Sequence, residues 1–109
     1  MIEQIAPTVH AAKAKASQAT RAFLDKHGDH DSCGFAWVTV YGVKLSTKVG
    51  KAFAAAGFSK AYGGGIQLWN PSGNHTQSIN AKEKGAEAFV EHLRTVFPGI
   101  DASAGSRMD

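Results

Sequence analysis

The sequence predicts an α+β fold, in which a leading helix precedes a four-stranded sheet and two further helices. Three segments predict it: residues 9–27 are alanine-rich without glycine or proline, residues 35–41 are β-branched, aromatic or alanine, and residues 86–97 repeat apolar residues at helical spacing. The chain has 109 residues, 43% of them hydrophobic and 19% charged. This suits one domain over residues 1–109 and excludes a disordered or low-complexity chain.

The first two helices are predicted from their end signals. In residues 1–28, Thr8 is the expected N-cap of the leading helix, and Gly28 is expected to end it. The second helix is expected to open at Thr47 and to end at Gly57.

The third helix is predicted to begin at Asn80, because Glu83 three residues later completes a capping box. Pro98 stands at its expected end. Gly85 inside this helix costs about 1 kcal/mol relative to alanine. We therefore expect Gly85 to permit close packing against a strand.

Four strands complete the fold. Residues 35–41 form the clearest one, residues 58–62 and 66–69 flank the glycine turn 63–65 as a hairpin, and residues 100–107 suit a last edge strand. The body at residues 33–109 then has the order β-α-β-β-α-β of the ferredoxin-like, split βαβ arrangement. We expect a mixed sheet with the first and third strands at its centre.

One face of this sheet is predicted to carry large aromatic residues. Alternation along the first strand places Ala36, Val38 and Val40 beneath the helices. The opposite face then receives Phe35, Trp37, Thr39, Tyr41, Gln67 and Trp69. We expect the N-terminal helix to cover these rings, and the alternative is an open face that stacks bases.

The net charge is +3, and lysines without any acid occupy residues 42–60. Such a cationic segment favours an anionic partner, although solvated lysines also serve solubility. A nucleic-acid-binding hypothesis therefore combines these lysines with two rings of the aromatic face. Its residues are Trp37, Tyr41, Lys44, Lys48, Lys51 and Lys60.

A dense polar turn before the third helix is the most ligand-like corner of the sequence. Free amide groups at a helix start suit an anion, and an indole beside them suits a nucleotide-like ring. Arg107 joins this corner if the last strand pairs with the first. The predicted ligand-binding residues are Trp69, Asn70, Asn74, His75, Gln77, Ser78, Lys82 and Arg107.

Residues 27–33 hold two histidines, two aspartates and the single cysteine. We interpret them as a polar connection and expect neither a metal site nor a cofactor, because a zinc site needs a second ligand pair elsewhere. Cys33 with His30 or His75 as base would make a small hydrolase, which is the third hypothesis. We expect instead a semi-buried, unreactive thiol and no enzymatic activity.

The compartment is predicted from what the chain lacks. It has no apolar run of about 18 residues, no secretion signal and one cysteine. We expect a cytoplasmic protein that does not enter a membrane. A second copy of the chain stays open as a partner.

Several strings resemble a group of small hypothetical proteins of bacteriophages and prophage-bearing bacteria. They are CGFAWV at 33–38, GFSK at 57–60, LWNPSG at 68–73, TQS at 76–78, KE and GA at 82–86, and GSRMD at 105–109. The resemblance implies a phage accessory protein in the host cytoplasm. Such proteins are more often binders than catalysts, so we expect it to bind a host protein or a small nucleotide-like anion.

Overall fold

A computed structural model describes residues 2–109 and has an α+β fold, as predicted. Its elements in chain order are α1 (Ile2–His27), β1 (Gly34–Tyr41), α2 (Lys48–Ala55), β2 (Ser59–Lys60), β3 (Ile66–Trp69), α3 (Ile79–Val96) and β4 (Asp101–Met108). All four predicted strands and all three predicted helices are present among these residues. The boundaries agree best for β1 and β3, where β-branched and aromatic residues are densest.

The sheet has the strand order β2-β3-β1-β4, so β1 and β3 lie at its centre as predicted. Every neighbouring pair is antiparallel, and the expectation of a mixed sheet is wrong. The reason is that α2 connects β1 to β2 across β3. The two parallel strands are therefore separated by an antiparallel one and never hydrogen-bond to each other.

The β2–β3 hairpin is shorter than predicted. β2 contains only two residues, because Phe58 leaves the edge and enters the core against Phe53 and Phe89. Tyr62 is fully exposed in the turn. Ile66 pairs with Lys60.

The core lies between the sheet and the three helices. Ala36, Val38 and Val40 are buried on the helical side of β1, as their alternation predicts. Ile66 and Leu68 extend this apolar surface along β3. The opposite side of the sheet is called the open face below.

α1 begins at Ile2, earlier than the predicted cap at Thr8. Ile5 is fully buried, so burial of its side chain favours the extra turns even though Pro7 lacks an amide proton. The helix packs against α3 and α2. The expectation that α1 covers the aromatic rings of the open face is therefore wrong.

Small residues explain where α1 docks. Ala16 and Thr20 are fully buried and face Gly85 of α3. A Cβ atom on Gly85 would lie 2.5 Å from Thr20 Oγ1 and 3.2 Å from the Ala16 carbonyl oxygen. Gly85 thus permits close packing between two helices, and the expectation that it packs against a strand is wrong.

α3 begins two residues earlier than the predicted capping box. Its N-cap is Ser78, whose hydroxyl accepts a hydrogen bond from the Ala81 amide. Asn80 is the second helical residue, and its amide is bound by the Asp31 carboxylate. The α2 N-cap is Thr47, as predicted.

Candidate functional site

Three rings on the open face form an aromatic cluster, which consists of Phe35, Trp37 and Trp69. Trp37 and Trp69 lie directly opposite each other in the β1–β3 register. Their ring centroids are 4.8 Å apart, and the Phe35 ring lies edge-on to Trp69 at 6.3 Å. Phe35 is 38% exposed and Trp69 is 45% exposed, so the cluster presents ring surface to solvent.

The Trp37 indole lies against the neighbouring strand β4. It lies opposite Gly105 of β4, and a Cβ atom there would be 2.6 Å from the indole. The glycine therefore leaves room for the ring and half-buries it. The aromatic cluster therefore extends over three adjacent strands, β3, β1 and β4.

Two cationic side chains lie beside the aromatic cluster at its Phe35 end. Lys82 Nζ lies 5.6 Å from the Phe35 ring centroid, and the Arg107 guanidinium carbon lies 6.0 Å from it. These are cation–π distances. Arg107 is opposite Phe35 because β4 pairs with β1, which was the condition for including it in the site.

The two cations differ in how they are held. Lys82 Nζ donates to the Gly34 carbonyl oxygen at 3.0 Å, which fixes the ammonium and leaves its other protons available. Within residues 2–109, the Arg107 guanidinium makes no hydrogen bond and no ion pair. An anion above Phe35 could accept hydrogen bonds from both.

The polar turn that follows β3 uses most of its own groups. Asn70 Nδ2 donates to the Asn74 carbonyl oxygen at 2.9 Å, and Asn74 Oδ1 accepts from the Thr76 amide at 2.8 Å. Ser72 Oγ links the two asparagines. These bonds build the turn, and they occupy the Asn70 side-chain amide and the Asn74 side-chain oxygen.

The α3 N-terminus is also occupied from within the chain. The Ile79 amide donates to Ser32 O, the Asn80 amide to Asp31 Oδ2, and the Ala81 and Lys82 amides to the Ser78 side chain and carbonyl. The amides expected to be free at this helix start therefore already donate hydrogen bonds to groups of the same chain.

Asp31 takes the position that a bound anion would have at the start of α3. The Ser78 hydroxyl, together with the Asn80 amide, holds the pKa of Asp31 below its usual value, although burial opposes this. A carboxylate at a helix N-terminus also complements the helix dipole. The groups near this corner that remain able to bind an anion are therefore side chains beside the open face.

The remaining polar residues of the corner lie at its rim. His75 and Gln77 are exposed, and Cys33 Sγ contacts Gln77 Oε1 at 3.4 Å. Cys33 is itself exposed, so the expectation of a semi-buried thiol is wrong. Alternation from Phe35 places its side chain on the open face instead of in the core.

The structure does not join Cys33 to a histidine. His30 folds back on the chain, and its ring lies against Gly28. Among the described residues, the hydrogen-bond partner of the thiol is Gln77. A Cys33–His30 pair is therefore not assembled.

The lysines of the nucleic-acid hypothesis lie away from the aromatic cluster. Lys48 and Lys51 are on α2. Lys44 and Lys60 line a concavity of about 330 Å³ together with Ile66, whose side chain faces the helices. Tyr41 is 43% exposed at the far end of the open face, opposite Asp101.

Sequence reasoning missed an apolar cavity of about 600 Å³ at the end of the sheet near Tyr41. Its walls come from α2, from the end of α3 and from the turn that precedes β4, and they include Val49, Phe53, Val96 and Ile100. The sequence carried no signal that the three elements would leave a gap.

Residues 2–109 contain no group of three or more His, Cys, Asp and Glu side chains placed to hold a metal ion. In the same residues, no helix combines the length and the apolar character that crossing a membrane requires. Comparison with protein families, curated proteins and solved structures found no match to this chain.

Proposed function

We propose that the open face binds a small anion with an aromatic ring, such as a nucleotide, without catalysing its conversion. The observation that carries the proposal is the placement of Lys82 and Arg107 over one end of an exposed aromatic cluster. A nucleobase would stack on Trp69 and Phe35. Its phosphate would accept hydrogen bonds from the two cations.

The charge distribution of the open face favours a short ligand. Both cations lie at the Phe35 end, whereas Asp101 lies at the Tyr41 end. A polynucleotide that followed β1 across the face would bring phosphates toward that carboxylate. The phosphate contacts of a mononucleotide or dinucleotide would remain at the cationic end.

The cellular location in this proposal rests on the resemblance to phage proteins. We infer an accessory protein of the host cytoplasm, and a host protein is the alternative ligand of the same face. Exposed, contiguous aromatic surface supports either ligand, because such patches mark interaction sites. The two cations favour the nucleotide.

Isothermal titration calorimetry with 5′-mononucleotides and cyclic dinucleotides tests the proposal. Calorimetry is preferable to fluorescence, because the touching indoles of Trp37 and Trp69 both respond to a ligand. Trp69→Ala should weaken binding by about 5- to 150-fold through lost stacking. Arg107→Gln should weaken it by about tenfold through a lost charge-assisted hydrogen bond.

Lys51→Gln is the matched control, since Lys51 is an exposed cation on α2. It should leave nucleotide affinity unchanged. No heat of binding at millimolar nucleotide would refute the proposal and leave the protein partner. Tighter binding of single-stranded oligonucleotides that depends on Lys51 would instead support the nucleic-acid alternative.

A further inference from the structure

β4 is a long edge strand with a free side. It pairs with β1 on one side only and lies at the end of the sheet. Its eight residues contain neither lysine nor proline, and they pair with β1 in one unbroken register. Edge strands are commonly protected by such residues or by bulges, so β4 is a suitable template for another strand.

The hydrogen-bond pattern identifies the backbone groups on the free side. The Asp109 amide donates to the Cys33 carbonyl oxygen, so the odd-numbered residues of β4 point their backbone groups toward β1. Ala102, Ala104, Ser106 and Met108 therefore point theirs outward. Arg94 Nη2 donates to the outward Ala102 carbonyl oxygen, in agreement with this assignment, and leaves that oxygen one further lone pair for a second copy.

We propose that β4 pairs with β4 of a second copy of this chain, antiparallel about a two-fold axis at Ala104. The strand order would then be β2-β3-β1-β4-β4-β1-β3-β2. Ala104 would pair with its own counterpart and Ala102 with Ser106, and about six backbone hydrogen bonds would form. Both open faces would lie on the same side of one continuous sheet.

Charge complementarity on the open face selects this partner and this register. Asp101 and Arg107 stand at opposite ends of β4, and both side chains belong to the open face. The two-fold axis at Ala104 places Asp101 opposite Arg107 of the second copy. Two ion pairs result, one at each end of the interface.

The helical side is complementary under the same axis. The Arg94 guanidinium lies at Ala102, and the Glu83 carboxylate accepts a hydrogen bond from Ser106 Oγ. Because Ala102 faces Ser106 of the second copy, Arg94 approaches Glu83 of that copy. Opposite charges therefore meet on both faces of the shared sheet.

Light scattering coupled to size-exclusion chromatography, in the absence of nucleotide, tests the proposal. As the protein concentration rises from micromolar to millimolar, the measured molar mass should reach twice the 11.5 kDa of one chain. Asp101→Arg and Arg107→Asp should each weaken dimerisation by about 2- to 30-fold, because each change removes two ion pairs. The double variant should regain the dimer, since it exchanges the two charges.

A backbone variant tests the edge itself. Ala104→Pro removes an outward amide and leaves the bonds to β1 in place, so it should abolish the dimer while circular dichroism and urea unfolding show a folded monomer. Lys51→Asp is the control for charge reversal and should remain dimeric. A monomer at every concentration, or a dimer indifferent to Ala104→Pro and to the charge exchange, would overturn the inference.

Arg107 takes part in both proposals, so variants that leave it in place separate them. The dimerisation measurements are made without ligand, and Trp69→Ala, which removes stacking, should remain dimeric. Loss of nucleotide binding with a retained dimer would count against the proposed function only. Loss of the dimer with retained nucleotide binding would count against this inference only.

Discussion

Substituting Gly85 by alanine should destabilise the protein, although the same change stabilises most helices. In an open helix, Gly→Ala gains about 1 kcal/mol. Here the new Cβ atom would lie 2.5 Å from Thr20 Oγ1 and 3.2 Å from the Ala16 carbonyl oxygen. Thr20 is fully buried and donates to the Ala81 carbonyl oxygen at 2.8 Å, so it cannot rotate away without losing that bond.

Overpacking of this kind costs about 1–3 kcal/mol. After the helix-propensity gain, the free energy of unfolding should fall by about 1 kcal/mol. For a domain of this size the melting temperature should drop by about 4–8 °C. Urea unfolding of the single variant should show a lower midpoint with an unchanged slope.

The neighbour that causes the strain can be removed in a second variant. Thr20→Ala deletes Oγ1 but leaves Ser72 Cβ at 3.0 Å and the Ala16 carbonyl oxygen at 3.2 Å from the new atom, so in that background Gly85→Ala should cost less than in the native sequence. A rise in the unfolding midpoint on introducing Gly85→Ala into the native sequence would refute the close α1–α3 contact. Equal effects of Gly85→Ala in both backgrounds would show that Thr20 is not the obstacle.

Three further predictions follow from single residues. The lowered pKa of Asp31 means that its contribution to stability is complete above the ordinary value of 3.8 and is lost as pH falls through the lower folded value. Asp31→Asn should therefore lower the urea midpoint at neutral pH and flatten its acid dependence, and an unchanged midpoint would contradict the cap. Exposed Cys33 should react with iodoacetamide in the native protein at a rate that His30→Ala does not alter, whereas a protected thiol would contradict the exposure. Gly105→Ala should displace the Trp37 indole and shift tryptophan emission, and an unchanged spectrum would show that the ring does not rest on β4.

Local sequence signals predicted the central strands well. β1 and β3 are short, dense in β-branched and aromatic residues and bounded by glycine or asparagine, so neighbouring residues determine them. β4 was predicted from a weaker alternation. The length of β2 was overestimated because Phe58 suits a strand as well as a core. Only the positions of Phe53 and Phe89 decide between the two.

The placement of α1 depended on information that periodicity does not carry. An apolar face shows that a helix packs, but the aromatic rings and α3 were both suitable partners. The deciding feature is size, because the small residues Ala16 and Thr20 match Gly85. That correspondence is visible in the sequence once the two helices are compared.

The candidate site was predicted in part. Trp69, Lys82 and Arg107 all lie near the Phe35 ring, because strand pairing and the start of α3 bring them there. In the polar turn, the Asn70 side-chain amide and the Asn74 side-chain oxygen bind backbone groups of the turn itself, and a ligand-binding role for these two residues stays a prediction. Composition cannot distinguish an asparagine that builds a turn from one that faces a ligand.

The contact between Trp37 and Trp69 also makes the assembly of the sheet observable. The two indoles come from strands separated in the chain by α2 and β2, and they meet only when β1 and β3 pair in register. Coupled indole transitions give a paired signal in circular dichroism, which would be absent in the unfolded chain. Stopped-flow measurement of that signal would time the long-range pairing separately from helix formation, which far-ultraviolet ellipticity at the helix band reports.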